Sequence, residues 1–288
     1  MDLSVLGFLA APFVASLILT GIHAYLGVHV VERGVIFVDL SLAQIAALGA
    51  TIAILMPITR GDPHAPIVYW ISLGFTFLGA AIFSTIRSRR ARIPQEAIIG
   101  ICYAVASAAA ILAMSKATSE SEHLKDMLVG NILAVSWHEV IKTAILYGCI
   151  GIFHYVFRKQ FLAISQSHNS PESTGLNYRF WDFLFYASFG LVVTRSVAIA
   201  GVLLVFCYLI VPSVGGMLYS AHIGRRLAIG WIMGVVVSML GMYLSVQFDF
   251  PTGAAIVCTF GIVLAVMAAF RPLLVRGGAP IPSVQQSH

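Results

Sequence analysis

Residues 180–212, FWDFLFYASFGLVVTRSVAIAGVLLVFCYLIVP, decide how many times this chain crosses a membrane. The stretch is apolar almost throughout and longer than the roughly 20 residues that one helix needs to span a hydrocarbon core of about 30 Å. It reads as one long tilted helix or as two short helices turning around Arg195-Ser196. Charge separates the two readings. Cytoplasmic loops hold the excess of Lys and Arg, and Arg87, Arg89, Arg90 and Arg92 mark the connector after the third apolar run as cytoplasmic. With two helices, Arg33, Arg158, Lys159, Arg179, Arg225, Arg226, Arg271 and Arg276 fall on the same side. Arg60, Lys116, Lys125 and Arg195 are then outside, and Lys142 lies near the start of helix five. A single helix would put Arg225 and Arg226 on the wrong face. The expectation is nine crossings (eight if the stretch is one helix) near 3–26, 34–57, 67–87, 95–115, 134–157, 180–194, 197–213, 227–247 and 252–271, with the N-terminus outside and the C-terminus inside.

Composition gives the same class. With 59% hydrophobic residues and 10% charged ones, there is too little polar surface to solvate a globule of this size. Only helices and closed barrels satisfy their backbone groups in lipid. Runs such as Ala97 to Met114 lack the polar alternation of barrel strands, so the fold class is an all-α polytopic membrane protein. The first run, Leu3 to Tyr25, has no preceding positive charge and too long an apolar core for an export signal, and it reads as a retained helix. Cys102, Cys149, Cys207 and Cys258 fall inside apolar runs without paired spacing, as small core residues would. The inner connector from Arg158 to Arg179 reads as a mobile surface loop. Residues 1–276 form a single membrane domain, and the Pro-containing stretch 277–288 reads as a disordered tail. The formal charge of +5 follows from the inward bias of basic residues. No basic patch with interleaved aromatics points to a nucleic-acid partner.

Three segments carry a family likeness. Asp249-Phe250-Pro251-Thr252-Gly253-Ala254-Ala255 resembles the Asp-Leu-Pro-Thr-Gly-Ala segment near the end of the permeases of metal-type (zinc, manganese or iron) ABC importers. Gly130-Asn131-Ile132-Leu133-Ala134-Val135-Ser136 and the stretch Leu203 to Pro212 are similar to the same family, in the same order. The resemblance covers most of the chain. It implies the metal ABC permease fold in the cytoplasmic membrane of a bacterium. It also implies a second permease copy, an ATPase subunit, and an extracytoplasmic substrate-binding protein. The residues themselves agree on energy supply: a phosphate-binding loop needs Gly-Lys followed by Ser or Thr, and no Gly-Lys dipeptide occurs. The chain is therefore expected to bind no cofactor and to hydrolyse no ATP of its own, ATP being used by the separate subunit.

The family's counterpart of the second helix usually reads Gly-Asp-x-x-Ser-His, a carboxylate, a hydroxyl and an imidazole on one face. In the register of Arg33 and Gly49, this chain has Asp39, Leu40, Ala43 and Gln44 there. Asp39 lies one residue early and Gln44 replaces the imidazole. An ionisable group within a span is costly and marks function by default. Asp39 either lines the pathway with Gln44 or is held by a neighbouring helix. The segment Ser213, Gly215, Gly216, Met217, Leu218 and on to Arg225 and Arg226 reads as a short cytoplasmic helix. The resemblance makes it the ATPase contact, and the plain alternative is a connector rich in small residues. Glu96, after Pro94, suits the start of helix four through the helix dipole.

Glu120, Glu122, His123 and Asp126 form either a cation-attracting outer rim or a solvated loop. His64 beside Asp62 sits in another outer loop, and His23 and His29 flank the inner end of helix one, placed to snorkel. Trp137, His138 and Glu139 read as an interfacial helix start, and His154 as structural. The identity of the metal is not set by these residues.

The importer permease is the leading reading, moving a divalent zinc, manganese or iron ion. A chelated metal or another small solute on the same scaffold is the main alternative. An intramembrane enzyme is the third, without a His-Glu-x-x-His or Gly-x-Ser-x-Gly motif to support it. The topology predicts that cysteines introduced as Ser121→Cys and Ser167→Cys react with an impermeant thiol reagent from opposite sides of the membrane. Labelling of both from one side would break the nine-helix arrangement.

Overall fold

The computed structural model describes residues 3–59, 62, 65–86, 93–114, 132–167 and 175–274. Ten α-helices run through them: α1 (Leu3–Arg33), α2 (Val38–Leu55), α3 (Pro66–Ile86), α4 (Gln95–Met114), α5 (Trp137–Val156), α6 (Arg158–Gln166), α7 (Tyr178–Ala200), α8 (Val202–Tyr219), α9 (Ile223–Phe248) and α10 (Thr252–Leu274). A 3-10 turn, Ile132–Ala134, precedes α5. All except α6 are long and apolar enough to cross a bilayer, which gives the nine expected crossings among the described residues. Polar residues set several of the starts. Ser136 accepts from the Glu139 amide while the Glu139 carboxylate accepts from the Ser136 amide, a reciprocal cap that opens α5. Trp137 stands half-exposed beside it.

The deciding stretch does contain two helices, but they part at Gly201 rather than at Arg195-Ser196. Gly201 has φ 77° and ψ 161°, a backbone state that side chains with a Cβ avoid. Its amide closes α7 on the Val197 carbonyl, and its carbonyl accepts from Val205 to open α8. Arg195 and Ser196 stay helical because neighbours satisfy them. Arg195 Nε donates to Thr143 Oγ1 at 3.2 Å, while Ser196 is bonded to Tyr147 and to the Val192 carbonyl.

Four further expectations change. Helix one continues to Arg33, more than a turn beyond residue 26. Helix eight runs through Pro212 to Tyr219, so Ser213–Tyr219 is not a separate helix. Ser213 Oγ, beside the proline, bonds the Leu209 and Ala24 carbonyls and so ties α8 to α1. The inner connector is helical over α6, with Phe161, Ile164 and Ser165 buried. Only two of the cysteines meet the core, since Cys149 and Cys258 are exposed whereas Cys102 and Cys207 are half-buried and pack against it.

Two packed groups make the body. Helices α2, α3, α4 and α7 form one, α1, α8, α9 and α10 the other, and α5 rests mainly on α1. At one end, Asp249 adopts the left-handed conformation (φ 55°, ψ 40°) that terminates α9. Ser245 Oγ then bonds both the Phe250 carbonyl and Thr252 Oγ1, and the Pro251 carbonyl accepts from Ala255 as α10 begins. The Asp-Phe-Pro-Thr-Gly segment is thus the tight α9–α10 reversal.

At the opposite end lie Arg33, Arg226 and Arg271, three of the basic residues assigned to the cytoplasm. Arg33, 1% exposed, is ion-paired with Asp182, 0% exposed, and its guanidinium stacks 3.9 Å from the Phe185 ring centroid. Arg33 Nε also donates to Ser165 Oγ at 2.9 Å, and His29 Nδ1 lies 2.8 Å from the same hydroxyl. Arg226 pairs with Glu32, and Arg271 donates to the Leu218 carbonyl. Removing one member of a buried pair costs about 3–5 kcal/mol. Arg33→Met is therefore expected to lower the thermal unfolding midpoint of the detergent-purified protein steeply, and a joint Arg33→Met, Asp182→Leu variant to recover much of the loss. An unchanged midpoint in Arg33→Met would remove the pair from the framework.

Candidate functional site

The start of α2 is built by a reversal. Gly34, at φ 66°, ends α1 with its amide on the Val31 carbonyl, and Val35 returns its amide to Val30. Phe37 then precedes α2 with no cap from its own side chain. The cap comes from α4. Glu96 Oε1 accepts the Phe37 amide at 3.0 Å, placing a carboxylate at the positive end of the α2 dipole. Glu96 lies in the first turn of α4 as expected, and it also serves a helix whose sequence is 59 residues away.

Asp39 stands in the first turn of α2 and is 2% exposed. Its carboxylate is within electrostatic reach of Glu96, and Cys207 of α8 is close enough to sense it. Three buried oxygens here have no hydrogen-bond partner: Asp39 Oδ1, Ser41 Oγ and Glu96 Oε2. Buried polar groups are normally satisfied, and exceptions call for an explanation. The site adjoins an open face of the chain. The Phe37 ring, 47% exposed, lies parallel to Phe206 with centroids 6.4 Å apart.

Gln44 is half-buried and not bonded to Asp39. Five positions along a helix put it about 140° around the axis, so the structure does not join the expected pair. Of the other histidines, His23 and His29 do not snorkel. Both are buried, His23 against the Leu19 carbonyl at 2.8 Å and His29 against Ser165. His154 is structural, bonded to Ser188 at 2.8 Å and stacked on Phe161. Among the described residues, no group of three or more His, Cys, Asp or Glu side chains comes together as a metal cage. Glu120, Glu122, His123, Asp126 and His64 lie outside the described residues.

The expected ATPase-contact segment divides. Ser213, Gly215 and Gly216 are buried in the crossing of α8 with its neighbours. A Cβ on Gly216 would come within 2.5 Å of the Arg226 carbonyl oxygen, so this glycine allows α9 to approach, and it cannot present a face to another protein. Leu218 is half-buried, and Arg226 is held by Glu32 and the Ser220 carbonyl. Met217 and Arg225 remain exposed, with Ala221 and His222 in the turn between them.

Sequence reading missed two residues. Glu96 was placed only at its own helix, and Asp182 was not singled out. Each is a carboxylate in an otherwise apolar run, the signal that drew attention to Asp39.

The sequence model of the ABC 3 transport family matches residues 6–271. The chain is 28% identical over 221 residues to the manganese transport system membrane protein MntC of Listeria innocua, covering 73% of this chain and 77% of that protein. It is 24% identical over 271 residues to a probable iron transport system membrane protein of Haemophilus influenzae, covering 93% and 96%. PsaBC from Streptococcus pneumoniae, solved in complex with Fab, shares the fold with a TM-score of 0.73 at 23% identity over 90% of each chain.

If Glu96 caps α2, Glu96→Gln keeps an acceptor for the Phe37 amide and should unfold close to the parent temperature. Glu96→Ala loses the cap and should be destabilised by about 0.5–2 kcal/mol. Equal midpoints for the two variants in a thermal unfolding series would contradict the cap.

Proposed function

The chain belongs to the ABC 3 transport family, and from that premise we propose that it is the permease subunit of an importer carrying a divalent transition metal into the cell. A second permease copy would complete the path, with separate subunits using ATP and an extracytoplasmic protein delivering the cargo. The observation that carries the reading is the set of unpartnered oxygens at the start of α2. A buried carboxylate oxygen without a donor is expensive in a low-dielectric setting. A passing cation relieves that cost by taking Asp39 Oδ1 and Glu96 Oε2 as donors, in exchange for part of its water.

Such a site binds weakly because it is not a closed cage, and a transported ion must leave as readily as it enters. The donor chemistry also orders the metals. Oxygen donors suit manganese, whereas zinc favours imidazole and thiolate. Manganese is the first choice, ferrous iron the second and zinc the third. This ordering agrees with the manganese and iron named for the relatives. The exposed turn carrying Met217, Ala221, His222 and Arg225 is the part of the expected coupling segment that is free to meet the ATPase.

The test is the manganese, iron and zinc content of metal-starved cells with this gene deleted, restored, or restored as Asp39→Asn. Deletion should lower manganese or iron severalfold, the parent chain should restore it, and Asp39→Asn should not, at equal abundance in the membrane. Unchanged levels of all three metals would overturn the free-ion reading and leave a chelated metal or another solute as the cargo.

A further inference from the structure

A second feature lies away from the α2 site. A cavity of about 590 Å³ opens between α1, α5, α6 and α9 in the cytoplasmic half of the protein. Its walls are kept back by small residues. A Cβ built on Gly21, Gly148 or Gly151 would meet nothing within 4 Å, so all three glycines face empty space. The aromatic walls turn apolar surface to it. Tyr147 spends its hydroxyl on the Val192 carbonyl, and Trp231 Nε1 donates to the Gly21 carbonyl at 3.1 Å.

The inner mouth has a different character. Arg158 is exposed there, with its guanidinium 4.4 Å from the Tyr155 ring centroid and one hydrogen bond, to the Tyr155 carbonyl. It forms no ion pair among the described residues. Tyr155 is exposed at this level, where amphipathic rings settle at a membrane surface. An apolar crevice between spanning helices, ending in an exposed arginine on the cytoplasmic side, matches one kind of molecule. It has a hydrocarbon tail long enough to enter and an anion at one end.

We propose that this crevice is a binding site for an anionic phospholipid of the cytoplasmic leaflet, with an acyl chain along Gly21, Gly148 and Gly151 and the phosphate at Arg158. The glycines supply the volume, and Arg158 supplies the selectivity. Basic pockets between helices on the cytoplasmic side suit such headgroups, and each Lys or Arg near the surface contributes about 1 kcal/mol toward anionic lipid. The site is independent of the cargo and of the α2 carboxylates.

The test uses the full chain in detergent, incubated with phosphatidylglycerol or with phosphatidylcholine of the same acyl chains and analysed by native mass spectrometry. The parent protein should retain phosphatidylglycerol about fivefold better, the factor that 1 kcal/mol gives. Arg158→Gln should bring the two lipids to parity. Gly148→Leu with Gly151→Leu should lose both, while Gly7→Leu, a glycine with equally open surroundings away from the crevice, should behave as the parent. Circular dichroism and a monodisperse elution profile establish that each variant is folded. Equal retention of the two lipids by the parent would overturn the proposal, as would retention unaffected by Arg158→Gln or by the paired leucines. Capture of a second copy of the chain by a photocrosslinker at residue 148 would also overturn it, by assigning the crevice to a protein contact.

Discussion

The buried pair of Arg33 and Asp182 fixes the geometry on which the rest depends. Two charges at 1% and 0% exposure persist only if both are paired and the remaining donors find partners. Ser165 takes Nε, the carboxylate takes Nη1 and the Phe185 ring stacks on the guanidinium, from α6 and α7, so that Nη2 alone is left without a hydrogen bond among the described residues. Since Arg33 is the last residue of α1, holding its guanidinium also holds the Gly34 reversal and therefore the point at which α2 begins. The same hydroxyl explains α6. A nine-residue polar helix on the inner surface would gain little from propensity alone, but Ser165 anchors it to Arg33 and His29 while Phe161 and Ile164 bury their side chains.

Two polar clusters near the α1–α2 reversal contrast sharply. Around Arg33, His29 and Ser165 the hydrogen-bonding groups are largely matched within the chain. At Asp39, Ser41 and Glu96 one buried oxygen of each is left open, while Glu96 Oε1 accepts the Phe37 amide. Stability alone favours closing such groups or replacing them with apolar ones. On the proposed reading, the open carboxylate oxygens await a partner that comes and goes, whereas the Arg33–Asp182 pair is closed within the chain.

The crossings were legible because each depends on a local property, a run of apolar residues of sufficient length, and because basic residues mark the inner ends. The break within residues 180–212 was misplaced for a physical reason. Arg195-Ser196 is polar in sequence, but Thr143 and Tyr147 on α5 satisfy it laterally, so the chain need not turn there. Gly201 carries no polarity, and its importance lies in a backbone angle that only the folded chain reveals. The same limit applies to Ser213, Gly215 and Gly216. Small residues permit either a docking surface or a close helix crossing, and the choice depends on Arg226 of α9, which sequence spacing does not place against Gly216. At the site, Asp39 was readable as a carboxylate within a span. Sequence spacing points to Gln44 on the same helix as its companion, whereas in the fold the carboxylate within electrostatic reach stands at the start of α4.

That relocation bears on how a path could open. Two donors on one helical face keep a fixed spacing, so releasing an ion between them requires unwinding the helix or rotating it as a whole. With the proposed donors on α2 and α4, separation follows from a small shift of one helix against the other. Beside the extensive packing of α2 on α4, the hydrogen bond from the Phe37 amide to Glu96 is one polar contact that resists such a shift. Its net strength is about 1.5–3 kcal/mol for a charged acceptor, within reach of the energy that an attached ATPase cycle can redistribute. A cation shared by Asp39 and Glu96 would reinforce the closed arrangement, and its departure would leave two like charges favouring the open one. On the proposed reading, loss of the same-helix imidazole therefore changes more than the donor set: it links occupancy of the site to the relative position of two helices.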